Sequence, residues 1–308
     1  MHDIKCPEMI IFQKLFLASV YLLSLFPWRI LYFFSDFIAL VLYYIVGYRK
    51  EVVYENLTNS FPDKSKKEIR KITHQYYRHI ADIMVESICE EKMIPHYKKH
   101  IIFKNQELLH RLYSTGKSVM MVGGHLGNWE WIGVTVQALG PFKARGVIKP
   151  LSSLFFNDYI ENLRNKYSSG IIPFKQTLRI MVASKDKQYL YMLGNDQTPH
   201  RDEIRYWTEF LNQPTPVFLG TEKIAKALDM PLVFANCYRI KRGVYEIELT
   251  LITETPKLTE EFEITQKHVA LLEQAINKRP YNWLWSHRRW KYKDEYPKYL
   301  EKQASITQ

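Results

Sequence analysis

Cysteine is scarce. Cys6, Cys89 and Cys237 are the only three, and they form neither a CxxC pair nor a paired framework. A disulfide-stapled secreted fold is therefore disfavoured against a reducing or redox-indifferent setting. Internal repeats, low-complexity tracts and Gly/Ser linkers are missing, so nothing marks the chain as a string of modules. There is no P-loop and no GxGxxG, which leaves nucleotide cofactors without support. A Gly-x-Ser-x-Gly elbow is absent as well, which removes the commonest serine-nucleophile arrangement. His96 and His100 share the i, i+4 spacing of a helical metal pair, but they flank Lys98 and Lys99 and lack a third ligand. No metal and no cofactor are expected. The Asn56-Leu57-Thr58 triplet fits a glycosylation sequon, a pattern common by chance, and carries no weight.

What is present in excess is positive charge and aromatic surface. Lys and Arg outnumber Asp and Glu by 43 to 32, a net charge of +11 over 308 residues. Anionic partners follow, although charge alone does not separate nucleic acid from a phospholipid surface. Aromatic residues make up 14%, 21 of them Tyr, and many lie near the N-terminus. Such rings beside basic residues suit a membrane–water interface. Leu15–Trp28 carries no charge, and Ile30–Tyr48 carries only Asp36. Neither run is both long and charge-free enough for an unambiguous span, yet apolar residues occupy every helical face rather than one stripe. An acidic residue precedes the run and no small-residue cleavage site follows it, so it does not read as a signal peptide. The expected organisation is a hydrophobic membrane-anchoring region over residues 1–50 and a catalytic domain over residues 51–308. Arg49 and Lys50 mark the cytoplasmic side of the membrane, with the catalytic domain following them.

Beyond the anchor, Phe61-Pro62-Asp63 interrupts the chain and Ser65-Lys66-Lys67-Glu68 fits a capping box. The spacing of Ile69, Ile72, Tyr76, Ile80, Ile83 and Ile88 predicts a helix running to about Cys89. Strands are expected at Ser118–Val122, Ala144–Ile148, Leu190–Leu193, Leu232–Tyr238 and Tyr245–Ile252. Helices are expected at Trp129–Leu139, Phe155–Tyr167, Leu178–Ser184, Val217–Leu228 and Ile264–Lys278. Strands alternating with helices imply an α/β layer structure around one sheet.

The sharpest local feature is Gly123-Gly124-His125-Leu126-Gly127-Asn128-Trp129-Glu130, which follows an apolar strand and opens a helix. Alpha/beta folds place ligand chemistry at such junctions. Imidazole is largely neutral at working pH and can take a proton from an attacking hydroxyl. A carboxylate on its other ring nitrogen would fix the tautomer and stabilise the imidazolium. His125 in the turn and Glu130 in the first helical turn can meet in this way, which a continuous helix would prevent. The three glycines remove side chains where substrate must approach closely. The bland alternative is an ordinary strand–turn–helix junction, with Asn128 as N-cap and Glu130 favouring the helix dipole.

This motif, HLGNWE, resembles the His-four-residues-acid motif of glycerolipid acyltransferases, in the form typical of the late acyltransferases of lipid A biosynthesis. The likeness extends along the chain. Asn56-Leu57 with Phe61-Pro62 is similar to that family's segment after its membrane anchor. Gly146-Val147-Ile148-Lys149-Pro150 resembles its second block, with Lys149 where arginine is usual. Gly194-Asn195-Asp196-Gln197 matches the third block, residues Phe210 to Pro231 the fourth, and Tyr281 to Lys291 the C-terminal signature.

The resemblance implies a glycerolipid-acyltransferase-like sheet flanked by helices, behind a hydrophobic helical anchor in a Gram-negative inner membrane. It implies transfer of a fatty acyl chain from acyl carrier protein or acyl-coenzyme A onto a hydroxyl of a lipid A precursor. His125 would be the general base and Glu130 would orient it. Gly127, Asn128, Lys149, Asp196, Arg288 and Arg289 are the substrate-binding candidates. Backbone N–H groups near the turn or the Lys149 ammonium would stabilise the oxyanion. Asp196 is given a supporting or acceptor-positioning role. Direct transfer without an acyl-enzyme is expected, because no cysteine sits in a matched block.

Arg288, Arg289 and Lys291, with Trp283, Trp285 and Trp290, form a basic-aromatic cluster. This cluster reads equally as a lipid-phosphate contact and as a solvated basic tail packed by its tryptophans. The nearest competing function keeps the chemistry on another acceptor: an aminolipid, a phosphoglycolipid or a polyene-type head group. A membrane-tethered nucleic-acid-binding protein is a distant alternative. It is disfavoured because the basic residues are scattered and no binding module is recognisable.

Overall fold

The computed structural model describes residues 7–149 and 154–307, with side chains for residues 15–149 and 161–305. Cys6 and Pro150 lie outside the described residues. In chain order the strands are β1 (Ile101–Lys104), β2 (Val119–Gly123), β3 (Lys143–Ile148), β4 (Ile171–Pro173), β5 (Tyr189–Gly194), β6 (Tyr206–Phe210), β7 (Gln213–Val217), β8 (Leu232–Lys241) and β9 (Val244–Thr253). Seven of them form one sheet in the order β1-β9-β8-β2-β5-β3-β4. The five strands from β8 to β4 run parallel, while β9 returns antiparallel to β8 and carries β1 beside it. Val119, Met120, Met121 and Val122 of β2 are all buried, as a strand covered on both faces must be.

The helices in chain order are α1 (Pro7–Leu25), α2 (Trp28–Leu40), α3 (Lys50–Ser60), α4 (Lys66–Ile88), α5 (Glu90–Met93), α6 (Gln106–Tyr113), α7 (Trp129–Thr135), α8 (Leu154–Tyr167), α9 (Thr177–Ala183), α10 (Gly220–Leu228), α11 (Glu263–Lys278) and α12 (Tyr296–Thr307). Helix α4 opens with the expected capping box. The Glu68 amide donates to Ser65 Oγ at 3.3 Å, and the Ser65 amide donates to Glu68 Oε2 at 2.8 Å. Its apolar stripe buries Ile69, Ile72, Tyr76 and Ile83, and a second face buries the polar residues His79, Asp82 and Glu86. Two of those polar residues, Asp82 and Glu86, hold α2. Asp82 receives Arg239 at 2.6 Å and the Ser35 hydroxyl, while Arg242 bridges Asp82 and Asp36.

Helix α2 thus lies against α4 and buries its Leu31, Ser35 and Ala39. Its outer face exposes Phe33, Phe34, Phe37 and Leu40, and the π-helical turn Val41–Ile45 that follows exposes Tyr44 and Ile45. Trp28–Ile45 is long and apolar enough to cross a membrane, and only 17% of it is buried.

The sequence-based elements differ in several places. The hairpin β6–β7 falls in a stretch to which no element was assigned and extends to Val217, where a helix was expected to start, and α10 begins at Gly220 rather than Val217. Its turn residues Leu211 and Asn212 both adopt positive φ, at 52° and 59°, without the Asn-Gly signature that usually announces such a turn. Pro214 and Pro216 lie in β7, which has only one partner, where a missing N–H is tolerated. The edge strands β1 and β4, of four and three residues, and the C-terminal helix α12 also went unforeseen.

Candidate active site

Strand register assembles the site. Gly123 at the end of β2 sits opposite Gly194 at the end of β5, and Val147 of β3 sits opposite Leu193. The residues two positions beyond Gly123, Gly194 and Val147 are His125, Asp196 and Lys149. All three therefore emerge at the carboxyl edge of the parallel strands, where α/β sheets bind ligands.

His125 and Asp196 are directly joined. His125 Nδ1 lies 2.6 Å from Asp196 Oδ1, and the His125 amide donates to Oδ2 at 2.7 Å. Trp283 Nε1 donates to the same Oδ2 at 2.7 Å. Asp196 is 3% exposed. Burial alone would raise its pKa, but the imidazolium charge and the N–H donors outweigh that and hold the carboxyl well below the usual range. For His125 burial opposes protonation, and the Asp196 carboxylate overcomes it, with Glu130 adding a smaller pull, so its pKa is raised. With Nδ1–H donating to Asp196, Nε2 is the free basic nitrogen. The imidazole is 23% exposed, and Gln197 Nε2 lies 3.4 Å from Nε2.

The carboxylate expected on Nδ1 was Glu130; the structure puts Asp196 there. Glu130 instead pairs with Arg164 Nη2, at 3.0 and 2.7 Å, and accepts from Trp129 Nε1 at 3.1 Å. The Trp129 ring stands edge-on to His125 at 5.3 Å between centroids, so Glu130 reaches the base only through that ring and through its charge. The physical reason is the turn. It directs His125 across to the neighbouring strand end, while the first turn of α7 carries Glu130 toward α8.

The turn itself is held from inside. Asn128 is fully buried: its Oδ1 caps α7 by accepting from the Trp131 amide at 3.0 Å, and its Nδ2 donates to Glu86 at 2.8 Å. Both ends of the amide are spent, so its expected substrate contact gives way to capping. Gly127 was also expected at the substrate. It adopts φ +57°, and an added Cβ would lie 2.6 Å from Cys237 Sγ and 2.8 Å from the Cys237 carbonyl oxygen. What approaches this glycine is strand β8. The same holds at Gly124, where Leu272 and Asp196 occupy the space.

Glu86 was missed by sequence reasoning. It accepts from Asn128, from the Tyr245 hydroxyl at 2.7 Å and from the Tyr32 hydroxyl at 2.8 Å, and burial pushes its pKa up to about 7. No local signal marks it, since its partners are scattered across the chain. Trp283 had been read only as part of a basic-aromatic cluster. Trp283, Trp285 and Trp290 are all core residues, at 2%, 0% and 5% exposure.

Arg288 is exposed, whereas Arg289 is 3% exposed. The Nε and Nη1 groups of Arg289 have no hydrogen-bond partner among the described residues. Burial pushes its pKa down to about 10, with Asp196 pulling the other way. Lys149 is exposed at the end of β3, next to the residues outside the description. Among the described residues, no group of three or more His, Cys, Asp or Glu side chains could hold a metal ion.

An imidazole locked to a buried carboxylate at the carboxyl edge of an α/β sheet is apparatus for drawing a proton from a hydroxyl, the class of site that group-transfer enzymes use. Over residues 3–292, nearly its whole length, the sequence matches the bacterial lipid A biosynthesis acyltransferase family, and the chain belongs to that family. It is an acyltransferase of the lipid A type. No individually curated protein matches the sequence significantly.

Proposed function

We propose that the protein transfers a fatty acyl chain from acyl carrier protein or acyl-coenzyme A to a hydroxyl of a lipid A precursor, with His125 as general base. The observation that carries this reading is the clamp of Nδ1 on Asp196, which in the neutral imidazole makes the partly exposed Nε2 the proton acceptor. The acceptor hydroxyl attacks the thioester carbonyl carbon while Nε2 takes its proton. The tetrahedral intermediate collapses with cleavage of the C–S bond, and the imidazolium returns the proton to the departing thiolate. Asp196 orients the ring and stabilises its charge. Glu130 is a positioning residue, acting through Trp129 and through its own charge.

The oxyanion needs donors. The amides of His125, Leu126 and Gly127 are already given to Asp196, Gly124 and Asn282, which favours the Lys149 ammonium over the turn's backbone. Arg288 and Arg289 are read as contacts for phosphates of the acceptor. Direct transfer is supported by the state of Cys89 and Cys237. Both are buried, and burial pushes their thiols up to about 11 and about 12, so neither supplies a thiolate. The apolar outer face of α1 and α2 supports membrane attachment of residues 1–50, on the cytoplasmic side of an inner membrane, with residues 51–308 as the catalytic domain.

The test supplies the protein in membranes with acyl carrier proteins of several chain lengths, acyl-coenzyme A and an incompletely acylated lipid A precursor. Mass spectrometry should find a gain of one ester-linked chain that His125→Ala abolishes. No gain with any donor, from folded membrane-bound protein, would reject the acceptor.

A further inference from the structure

The π-helical turn Val41–Ile45, the start of α3 and the first half of α4 line a half-open hollow of about 890 Å³, and no residue of the turn that carries His125 lines it. Its charge is one-sided. Arg49, Lys50, Arg70 and Arg288 line it, against Glu51 as the one carboxylate. Two of these cations are fixed in place. Arg49 Nη1 donates to the Ser286 carbonyl at 2.9 Å, and Lys50 Nζ sits 3.9 Å above the Tyr43 ring. The side chains of Arg70 and Arg288 have no partner among the described residues. Four cations gathered around one hollow repel each other unless an anion sits between them.

Tyr43, Tyr44 and His74 also line a second, smaller cavity of about 240 Å³, which continues past Ala39, Leu40 and Tyr77 beneath α2. Tyr44 is itself 63% exposed, and Phe37 of α2 and the adjoining Ile45 are 61% and 77% exposed. A cationic hollow therefore lies directly beside the exposed apolar residues of α2 and the π-helical turn. This juxtaposition matches a ligand with a phosphate at one end and hydrocarbon at the other, and it does not match a nucleic acid.

We propose that this cavity binds the phosphate-bearing headgroup of a lipid, with Arg70 and Arg288 closing on the phosphate between the pre-set Arg49 and Lys50. Guanidinium groups grip phosphate oxygens bidentately, and the lysine adds a point charge. The lipid's chains run along the outer face of α2. The cavity is tied to the catalytic edge: the Arg288 carbonyl accepts from Thr198 Oγ1 at 3.2 Å, two residues past Asp196. The binding does not depend on acyl transfer. Only the case in which the acceptor itself is the occupant rests on the proposed function.

The test is calorimetric titration of the full chain in non-ionic detergent with dihexanoyl phosphatidic acid, dihexanoyl phosphatidylcholine and inorganic phosphate. The Arg70→Gln/Arg288→Gln variant is compared with a Lys104→Gln/Lys257→Gln control, whose lysines are exposed and lie outside the cavity. Phosphatidic acid should bind the wild type most tightly. The cavity variant should lose about tenfold per cation removed, and the control should match the wild type. Competition then assigns the source. Displacement of phosphatidic acid by a solubilised lipid A precursor makes the acceptor the occupant, and failure to displace it makes a bilayer phospholipid the occupant. Equal losses in both variants, no loss in either, or inorganic phosphate binding as tightly as phosphatidic acid would overturn the proposal. Because no turnover is measured, a failure here is distinguishable from a failure of the acyl-transfer reading.

Discussion

Asp196→Asn separates the two carboxylates that could serve His125. Asp196 Oδ2 accepts from two obligate donors, the His125 amide and Trp283 Nε1, both at 2.7 Å. An asparagine can satisfy both only by turning its carbonyl oxygen toward them, which leaves its NH2 facing His125 Nδ1. The imidazole must then shift its proton to Nε2, and the base is lost while the fold is kept. Such a tautomer reversal costs about 10⁴-fold in kcat, equivalent to about 5.5 kcal/mol of barrier. Residual activity should also change its pH dependence. The raised pKa of His125 is owed to Asp196 first and Glu130 second, so activity in the wild type falls as pH drops through that raised value. Removing the Asp196 charge moves the acidic limb to lower pH, and Glu130→Gln moves it in the same direction by less. The assay follows thiol release from an acyl thioester between about pH 5 and 9, the range in which a histidine titrates. Thermal melts confirm that both variants are folded. If Glu130→Gln abolishes turnover while Asp196→Asn keeps most of it, the clamp on Asp196 is not the working arrangement and the argument from Nδ1 fails.

Three further outcomes follow from the same contacts. Gly127→Ala combines a positive φ with a clash against the Cys237 backbone, so denaturant unfolding should show a loss of about 2–4 kcal/mol. Cys237→Ala should restore only part of that, because the carbonyl oxygen remains. Asp82→Ala leaves Arg239 and Arg242 without their buried counter-charge and should cost about 3–5 kcal/mol, with faster proteolysis around α2 as a second readout. Glu86 has its pKa raised to about 7 by burial, so the stability it contributes is complete below about pH 4.5 and is lost as pH rises through 7. Glu86→Gln should flatten the melting temperature across that window, and an unchanged slope would show that another group sets it.

The fold was legible wherever one local rule decided the outcome. The capping box at Ser65 and Glu68, the buried run of β2 and the apolar spacing of α4 depend on residues a few positions apart. Elements resting on non-local support were not legible. The strands β1 and β4 are too short to show a pattern and exist because β9 and β3 pair with them. The hairpin turn at Leu211 and Asn212 adopts a strained conformation that its sequence does not announce.

The same division runs through the site. From the sequence alone come the family, the α/β layering, the apolar N-terminal segment and His125 as the candidate base, because each is written in contiguous motifs. The identity of the carboxylate on Nδ1 is not. Glu130 is five residues away and Asp196 is 71, yet the ladder that sets Gly123 against Gly194 makes Asp196 the neighbour. Likewise the glycines of the motif make room for β8 and α11 rather than for a ligand, and Asn128 is consumed by a cap and by Glu86. Sequence determines which groups are available. Strand register and burial determine which of them meet, because hydrogen bonds and charge act over ångströms in space and take no account of separation along the chain.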